Sequence, residues 1–184
     1  MPALTMTKLH PYCYANMFEG CTSLINLDTL PSMNLESYCY ANMFNGCAKL
    51  TSIIKLPATI LKPGCYASMF EGCFGLRDIA KFRLIAEELT ENCYHSMFKN
   101  CRFLEKSPTI YAVILANGCM KHMFYGCSKL QNINVFFTYW DRIYTEEWVS
   151  GVSSTGSFGK LKALKVINGV SWIPNDWTIT VFTN

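Results

Sequence analysis

Charge is scarce in this sequence. Of its 184 residues 16 are basic and 13 acidic, so charged residues make up 16%, against the usual figure of about 25%, and the net charge is +3. So slight an excess, without a cluster, excludes a nucleic-acid binder that relies on a basic patch. Long apolar runs are also missing. Although 51% of the chain is hydrophobic, no run approaches the roughly 20 residues of a membrane-spanning helix. The opening Met1-Pro2-Ala3-Leu4-Thr5 has neither the basic stretch nor the apolar core of a secretory signal. No Cys-x2-Cys pair occurs, which removes the commonest zinc spacing. The run from Gly151 to Gly156 is followed by no Gly-Lys-Ser/Thr, and Thr155 stands where Gly-x-Ser-x-Gly needs its last glycine. That run reads as a structural turn. Tryptophan is absent from the first three quarters of the chain: Trp140, Trp148, Trp172 and Trp177 all lie near its end.

What the chain has in abundance is cysteine, and all of it is periodic. Cys13-Tyr14-Ala15-Asn16-Met17-Phe18-Glu19-Gly20-Cys21-Thr22-Ser23-Leu24 returns at Cys39–Leu50, Cys65–Leu76, Cys93–Leu104 and Cys119–Leu130. The first cysteines step by 26, 26, 28 and 26 residues, and two per repeat account for all ten. A period of this size held over five copies indicates a solenoid, in which each repeat buries its apolar face only against its neighbours. Counted from the first cysteine, a leucine stands four residues before, methionine four after, phenylalanine five after and leucine eleven after. The seventh position is Gly20, Gly46, Gly72, Asn100 and Gly126.

Each position has a local reading. Cys and Met at i and i+4 predict one face of a short helix. The Gly/Asn position predicts a left-handed helix cap. Cys-x2-Leu-x2-Ile (the last position being Leu27, Ile53, Ile79, Ser107 and Ile133) predicts a short strand, broken by Leu30-Pro31 and Leu56-Pro57. Ala58 to Leu61 predicts a second extended piece. One coil is then strand, turn, extended segment and short helix, with Cys, Met, Phe, Cys and Leu as interior ladders. The third repeat is two residues longer, near Phe82-Arg83-Leu84, which predicts a bulge. Ser107-Pro108 predicts a kink or a wetter spot. After a last strand over 131–137, Thr145 to Ser150 predicts a short helix, and Ile173 to Trp177 a turn into a final strand over 178–182. Leu4 to Tyr12 matches the second half of a repeat, so the first coil is expected to be covered by an upstream segment, another chain or self-association.

The unit Leu-x8-Cys-Tyr-x2-Met-Phe-x-Gly-Cys-x2-Leu, with its core Phe18-x2-Cys21-x2-Leu24, resembles the BspA-type bacterial leucine-rich repeats over about residues 4 to 136. The tail resembles endings of such proteins in Bacteroides and their phages. The resemblance implies an α/β repeat solenoid, a leucine-rich-repeat-like right-handed coil of short parallel strands and short helices. The division is residues 1–136 as solenoid and 137–184 as a C-terminal aromatic cap. It further implies a secreted or cell-surface, non-catalytic module for adhesion or for binding a host-derived protein or glycan. The alternative is a structural part of a cell surface or phage particle that docks through its open N-terminal coil.

Chemistry at the repeated residues reads as packing. Stacked cysteines with parallel side chains suit burial better than bridging, and a nucleophilic cysteine needs a singular, electropositive setting. Cys93-x-His95 and Cys119-x2-His122 place each histidine in one repeat only, so no metal site is expected, and no cofactor. Glu87, Glu88 and Glu91 read as a solvated face rather than a calcium site. The candidate binding residues are the outward strand positions that vary while the interior repeats: Asn26, Ser52, Arg77, Asp78, Glu105, Lys106, Gln131 and Asn132, with Ile25 and Thr51 beside them. The competing reading is that they only keep the sheet soluble.

Overall fold

In the computed structural model, which describes residues 8–26, 30, 34–53, 55–166 and 171–182, the repeats stack as a parallel β-solenoid. Leu27, Pro31 and the half-coil before Lys8 lie outside the described residues. The segment expected to be helical is not a helix. It is a ribbon of consecutive tight turns, and the only helical element among the described residues is a 3-10 helix over Arg142–Tyr144.

The hydrogen bonds show why. Alternate amides bond three residues back within the coil: Cys13 to His10, Ala15 to Tyr12, Met17 to Tyr14, Glu19 to Asn16 and Cys21 to Phe18. The amides between them leave the coil. Tyr12, Tyr14, Asn16, Phe18 and Gly20 donate to Ser37, Cys39, Ala41, Met43 and Asn45 of the next coil, at 2.7–3.1 Å. An α-helix would turn every one of those amides inward to the fourth residue back. The backbone reverses sign every fourth residue instead: φ is +60° at Tyr12, +60° at Asn16 and +70° at Gly20, and the same three positions are positive in each later repeat. The left-handed Gly/Asn column is therefore present, but it closes a β-turn rather than a helix. Lys62-Pro63-Gly64-Cys65 gives the chemistry in its plainest form. Proline presets the second position of the turn, glycine takes the positive φ of +61° at the third, and the Cys65 amide bonds the Lys62 carbonyl.

A four-residue turn period also puts the right atoms inside. Residues at 0, +4 and +8 fall on one side of the ribbon, so both cysteines and the methionine point inward with the phenylalanine and the leucine. In the second to fifth repeats all of these (Cys39, Met43, Phe44, Cys47, Leu50 and their equivalents) are fully buried, at 0% exposure. Phe18, Phe44, Phe70, Phe98 and Phe124 stack with centroids 5.6–5.8 Å apart, and Tyr14, Tyr40, Tyr66 and Tyr94 stack at 5.6–6.2 Å. Each buried phenylalanine contributes about 1.5–3 kcal/mol, and no single coil could supply that burial alone.

Opposite the ribbon runs a parallel sheet in the order β1 (Arg83–Leu84), β2 (Lys106–Ile110), β3 (Asn132–Val135), β4 (Gly156–Leu161) and β5 (Trp177–Phe182). Among the described residues nearer the N-terminus the pairs are single bridges, Asp78 with Lys106 and, on a third edge of the coil, Ile60 with Glu88 and Glu88 with Ile114. The longer third repeat spends its extra residues between Asp78, which pairs with Lys106, and Arg83, which pairs with Thr109. Ala80 and Lys81 turn there, closed by Phe82 N–H to the Ile79 carbonyl and Ala80 N–H to Asp78 Oδ1. At Ser107-Pro108 the register shifts, which is the expected irregularity, but the spot is dry: Ser107 is 2% exposed and donates to the Pro108 carbonyl.

The sheet crosses residue 136 without a break, and so does the ribbon. Residues 145–150 are not the expected short helix. Gly118, Met120, His122, Phe124 and Gly126 donate to Ile143, Tyr144, Glu146, Trp148 and Ser150, and positive φ recurs at Glu147 and Gly151. Trp148 takes the place of methionine and meets the last ring of the ladder, Phe124, at 6.1 Å. Trp140 and Phe158 pack around it, and Trp177 donates its indole N–H to the Ser153 carbonyl at 2.8 Å. The turn at Asn175–Asp176 into β5 is as the sequence predicts.

Candidate functional site on the strand side

The interior offers little chemistry. All ten cysteines are free thiols. Cys47, Cys73, Cys101 and Cys127 donate their Sγ–H to the carbonyls of Phe18, Phe44, Phe70 and Phe98 of the preceding coil, at 3.0–3.2 Å. Each of those carbonyls already accepts the amide of the cysteine in its own coil, so the thiol fills its second lone pair. Burial pushes the Cys39, Cys47 and Cys119 thiols up to about 11 and Cys65 to about 12, with Cys73, Cys93, Cys101 and Cys127 also raised. Thiols held protonated in this way are poor nucleophiles at neutral pH.

The outer face of the ribbon carries ion pairs between coils. Lys99 meets Glu71 at 3.2 Å, Lys121 meets Glu146 at 2.7 Å, and His122 Nε2 lies 3.3 Å from Glu147. His95 and His122 are neighbours, with ring centroids 5.8 Å apart. Burial first, then the nearby His122, lowers the His95 pKa. Among the described residues no three His, Cys, Asp or Glu side chains gather where a metal ion could be held.

The candidate binding residues all lie on the strand side, and of the eight all but the partly buried Asn132 are exposed. One column runs along the stack as Asn26, Ser52, Asp78, Lys106, Asn132 and Ser157. Its members pair lengthwise: Ser52 Oγ donates to Asn26 Oδ1 at 3.1 Å, Lys106 Nζ to Asp78 Oδ2 at 2.8 Å, and Asn132 Nδ2 to Ser157 Oγ at 2.9 Å. The hydrogen bond from Lys106 holds the Asp78 carboxyl below its usual range and raises the lysine in turn. The adjoining column (Ile25, Thr51, Arg77, Glu105, Gln131) is joined through its backbone. Thr51 donates to Ile25, Glu105 to Arg77 and Gln131 to Glu105. These donations run back towards the N-terminus, opposite to those of the ribbon, and they leave the side chains to solvent.

Two aromatic groups on this side escaped the reading of the sequence. At the corner between ribbon and sheet, Arg77 lies over the exposed Phe103 at 5.2 Å and Arg102 over the exposed Phe74 at 5.9 Å. Two crossed cation–π pairs thus hold two guanidiniums in place across adjacent coils. Farther along, the Arg83 guanidinium covers Tyr111, Tyr111 stacks on Phe136 at 4.8 Å, and Phe136 stacks on Phe182 at 5.1 Å. Phe182 reaches across β4 because Gly159 has no side chain: a Cβ there would stand 2.6 Å from the ring. Each of these residues occurs in one coil only, so the repeat pattern could not flag them.

Glu87 and Glu88 are exposed and line a hollow of about 420 Å³ with Thr59, Ile60, Leu61, Ile85 and Thr90. No described helix is long and apolar enough to cross a membrane. Comparison with family models, with curated proteins and with solved structures gave no match.

Proposed function

We propose that this chain is a non-catalytic binding module of the BspA-type leucine-rich-repeat kind, presenting the strand side of its stack to a protein or glycan. The observation that carries the reading is the division of each coil. The inward residues recur unchanged and, from the second repeat on, are fully buried, while the residues beside them on the strand side vary along the stack and, apart from the partly buried Asn132, face solvent. A scaffold held constant with a changing exposed face is the economy of repeat proteins that recognise partners. Adhesion at a cell surface, as the repeat resemblance implies, is the setting in which such a face would act. The test is an array of matrix proteins and glycans probed with the whole chain and with an Arg77→Glu/Lys106→Glu variant. Binding by the whole chain that falls at least tenfold in the variant, with an unchanged melting curve, supports the reading. Equal binding by the two would move the site off this face, and no binding to any member would count against the module itself.

One observation favours the second reading, a structural part docking through its first coil. Met17 is 46% exposed and Cys21 is exposed, whereas their equivalents in every later repeat are fully buried. Light scattering over a concentration series separates the two. Self-association abolished by Met17→Glu indicates docking through this end.

A further inference from the structure

Resting on that strand-side reading, we infer that the longer third repeat builds a defined pocket for a short acidic segment of a partner protein, one with an apolar side chain flanked by carboxylates. The two additional residues fall at the turn Ala80–Lys81, between the pairing of Asp78 with Lys106 and that of Arg83 with Thr109. Beside this turn lies a cleft of about 520 Å³ lined by residues of the second and third repeats. Its floor is Ile53, Leu56, Phe82 and Ile85, and its rim is Lys55, Lys81 and Arg83. All three cations are exposed, and Leu56 is buried at the base.

The chemistry of this lining selects among anions. Among the described residues the lining holds three positive charges and no carboxylate, so it favours negative charge. Among the described residues it also has no Asn, Gln, Ser, Thr, Asp or Glu. Sugar hydroxyls need convergent neutral donors and acceptors, and a saccharide on this floor would leave them unpaired at a cost. A leucine or phenylalanine side chain meets the floor without that penalty, and flanking carboxylates reach the rim. Arg83 is already steadied against Tyr111 at 5.8 Å, so less of its freedom is lost on binding. The length of the acidic stretch is bounded as well. Ile85 is shared with the neighbouring hollow, which Glu87 and Glu88 line. Carboxylates continuing past Ile85 would meet like charge.

The experiment uses the full chain and a fluorescent peptide, acetyl-Glu-Glu-Phe-Leu-Glu-amide, read by anisotropy at low and physiological salt. The companion probes are the same peptide with lysine for glutamate, and polygalacturonate. The expected result is saturable binding of the acidic peptide, weakened at least tenfold by Lys81→Glu/Arg83→Glu and about threefold by raised salt, with no binding of the lysine peptide. Lys55→Glu, away from the third repeat, supplies a second variant should the first fail to fold. If the acidic peptide fails to bind while the array partners still do, the pocket assignment falls and the strand-side reading stands. Polygalacturonate displaced by cleft variants in place of the peptide would overturn the assignment in favour of a saccharide.

Discussion

The two sides of each coil solve different problems with the same backbone. On the ribbon side five amides per coil donate to the next coil, at the same positions in every repeat, and the ladder survives into residues 143–151, where the cysteine motif itself has gone. On the strand side pairing runs from six residues in β4 and β5 to two in β1 and to isolated bridges, with a register shift at Ser107-Pro108 and a two-residue insertion at Ala80–Lys81. The difference teaches where stability resides. A side that stacks Phe and Cys in all five repeats, and Tyr in the first four, can hold the solenoid while the other side tolerates charge, bulges and clefts. Breaking the comparison means finding a ribbon change that is harmless or a strand-side change that is not.

The largest effect should come from alkali, because it acts on the buried thiols together. A thiol whose folded pKa is raised is protonated in both states below its unfolded value of about 8.5, and stability there is complete. As pH climbs, the unfolded chain sheds protons that the folded chain keeps. Stability then falls until the folded pKa is reached, at about 11 for Cys119 and about 12 for Cys65. Each such thiol removes about 1.4 kcal/mol per pH unit in that window. Burial raises Tyr66 and Tyr94 in the same sense. The unfolding free energy from urea titrations under reducing conditions should therefore hold steady from about pH 7 to 8 and drop by at least several kcal/mol between about pH 8.5 and 10.5. A flat profile would mean the cysteine columns are wetter than the structure has them.

A single ring comes next. Phe70 lies mid-ladder at 0% exposure between Phe44 and Phe98. Phe70→Ala should cost about 3–5 kcal/mol by denaturant unfolding, as a large side chain removed from a close-packed interior does. Below it stand the left-handed positions. Gly72→Ala meets nothing nearer than 3.8 Å but must hold φ at +68°, at a cost of about 1–2 kcal/mol. Gly64→Ala adds a collision, since its Cβ would lie 2.2 Å from the Tyr38 ring, and it should destabilise more. Equal losses at the two glycines would show that backbone strain alone sets the penalty.

The gap between the two glycines bears on what the sequence could reveal. Period, parallel stacking and the five interior columns were legible, because apolar identity repeats at fixed offsets and packing demands it. The helix was a misreading of spacing. Cys13 and Met17 at i and i+4 fit a helical face, yet Cys21 at i+8 would have drifted about 80° around a 3.6-residue helix, whereas a four-residue turn period keeps all three inside. The decisive signal was the column at −1, +3 and +7, filled by Tyr12, Asn16 and Gly20, then Tyr38, Asn42 and Gly46, then Gly64, Ser68 and Gly72. Small and polar residues at every fourth place mark repeated positive φ. The outward candidates were legible as exposed, but their pairing along the stack was not. The Arg77–Phe103 and Arg102–Phe74 contacts depend on side chains 26 and 28 residues apart, which no local pattern displays. The basic cleft needed the insertion placed to the residue.

The smallest expected effect is also the sharpest test of the division between sides. Arg77 is exposed, its backbone carbonyl accepts from Glu105, and its side chain lies over Phe103. Arg77→Glu keeps the backbone bond and loses an exposed cation–π contact worth about 0.5–1 kcal/mol at most. Its unfolding free energy should stay within about 0.5–1 kcal/mol of the parent, a fraction of the loss at Phe70. Should Arg77→Glu unfold the chain as Phe70→Ala does, the crossed Arg–Phe pairs would be holding adjacent coils together. The strand side would then be scaffold as well, and its variability would reflect packing rather than recognition. A midpoint that stays put leaves residues 77, 102 and 103 free to vary with a partner, because the ribbon alone fixes the distance between coils.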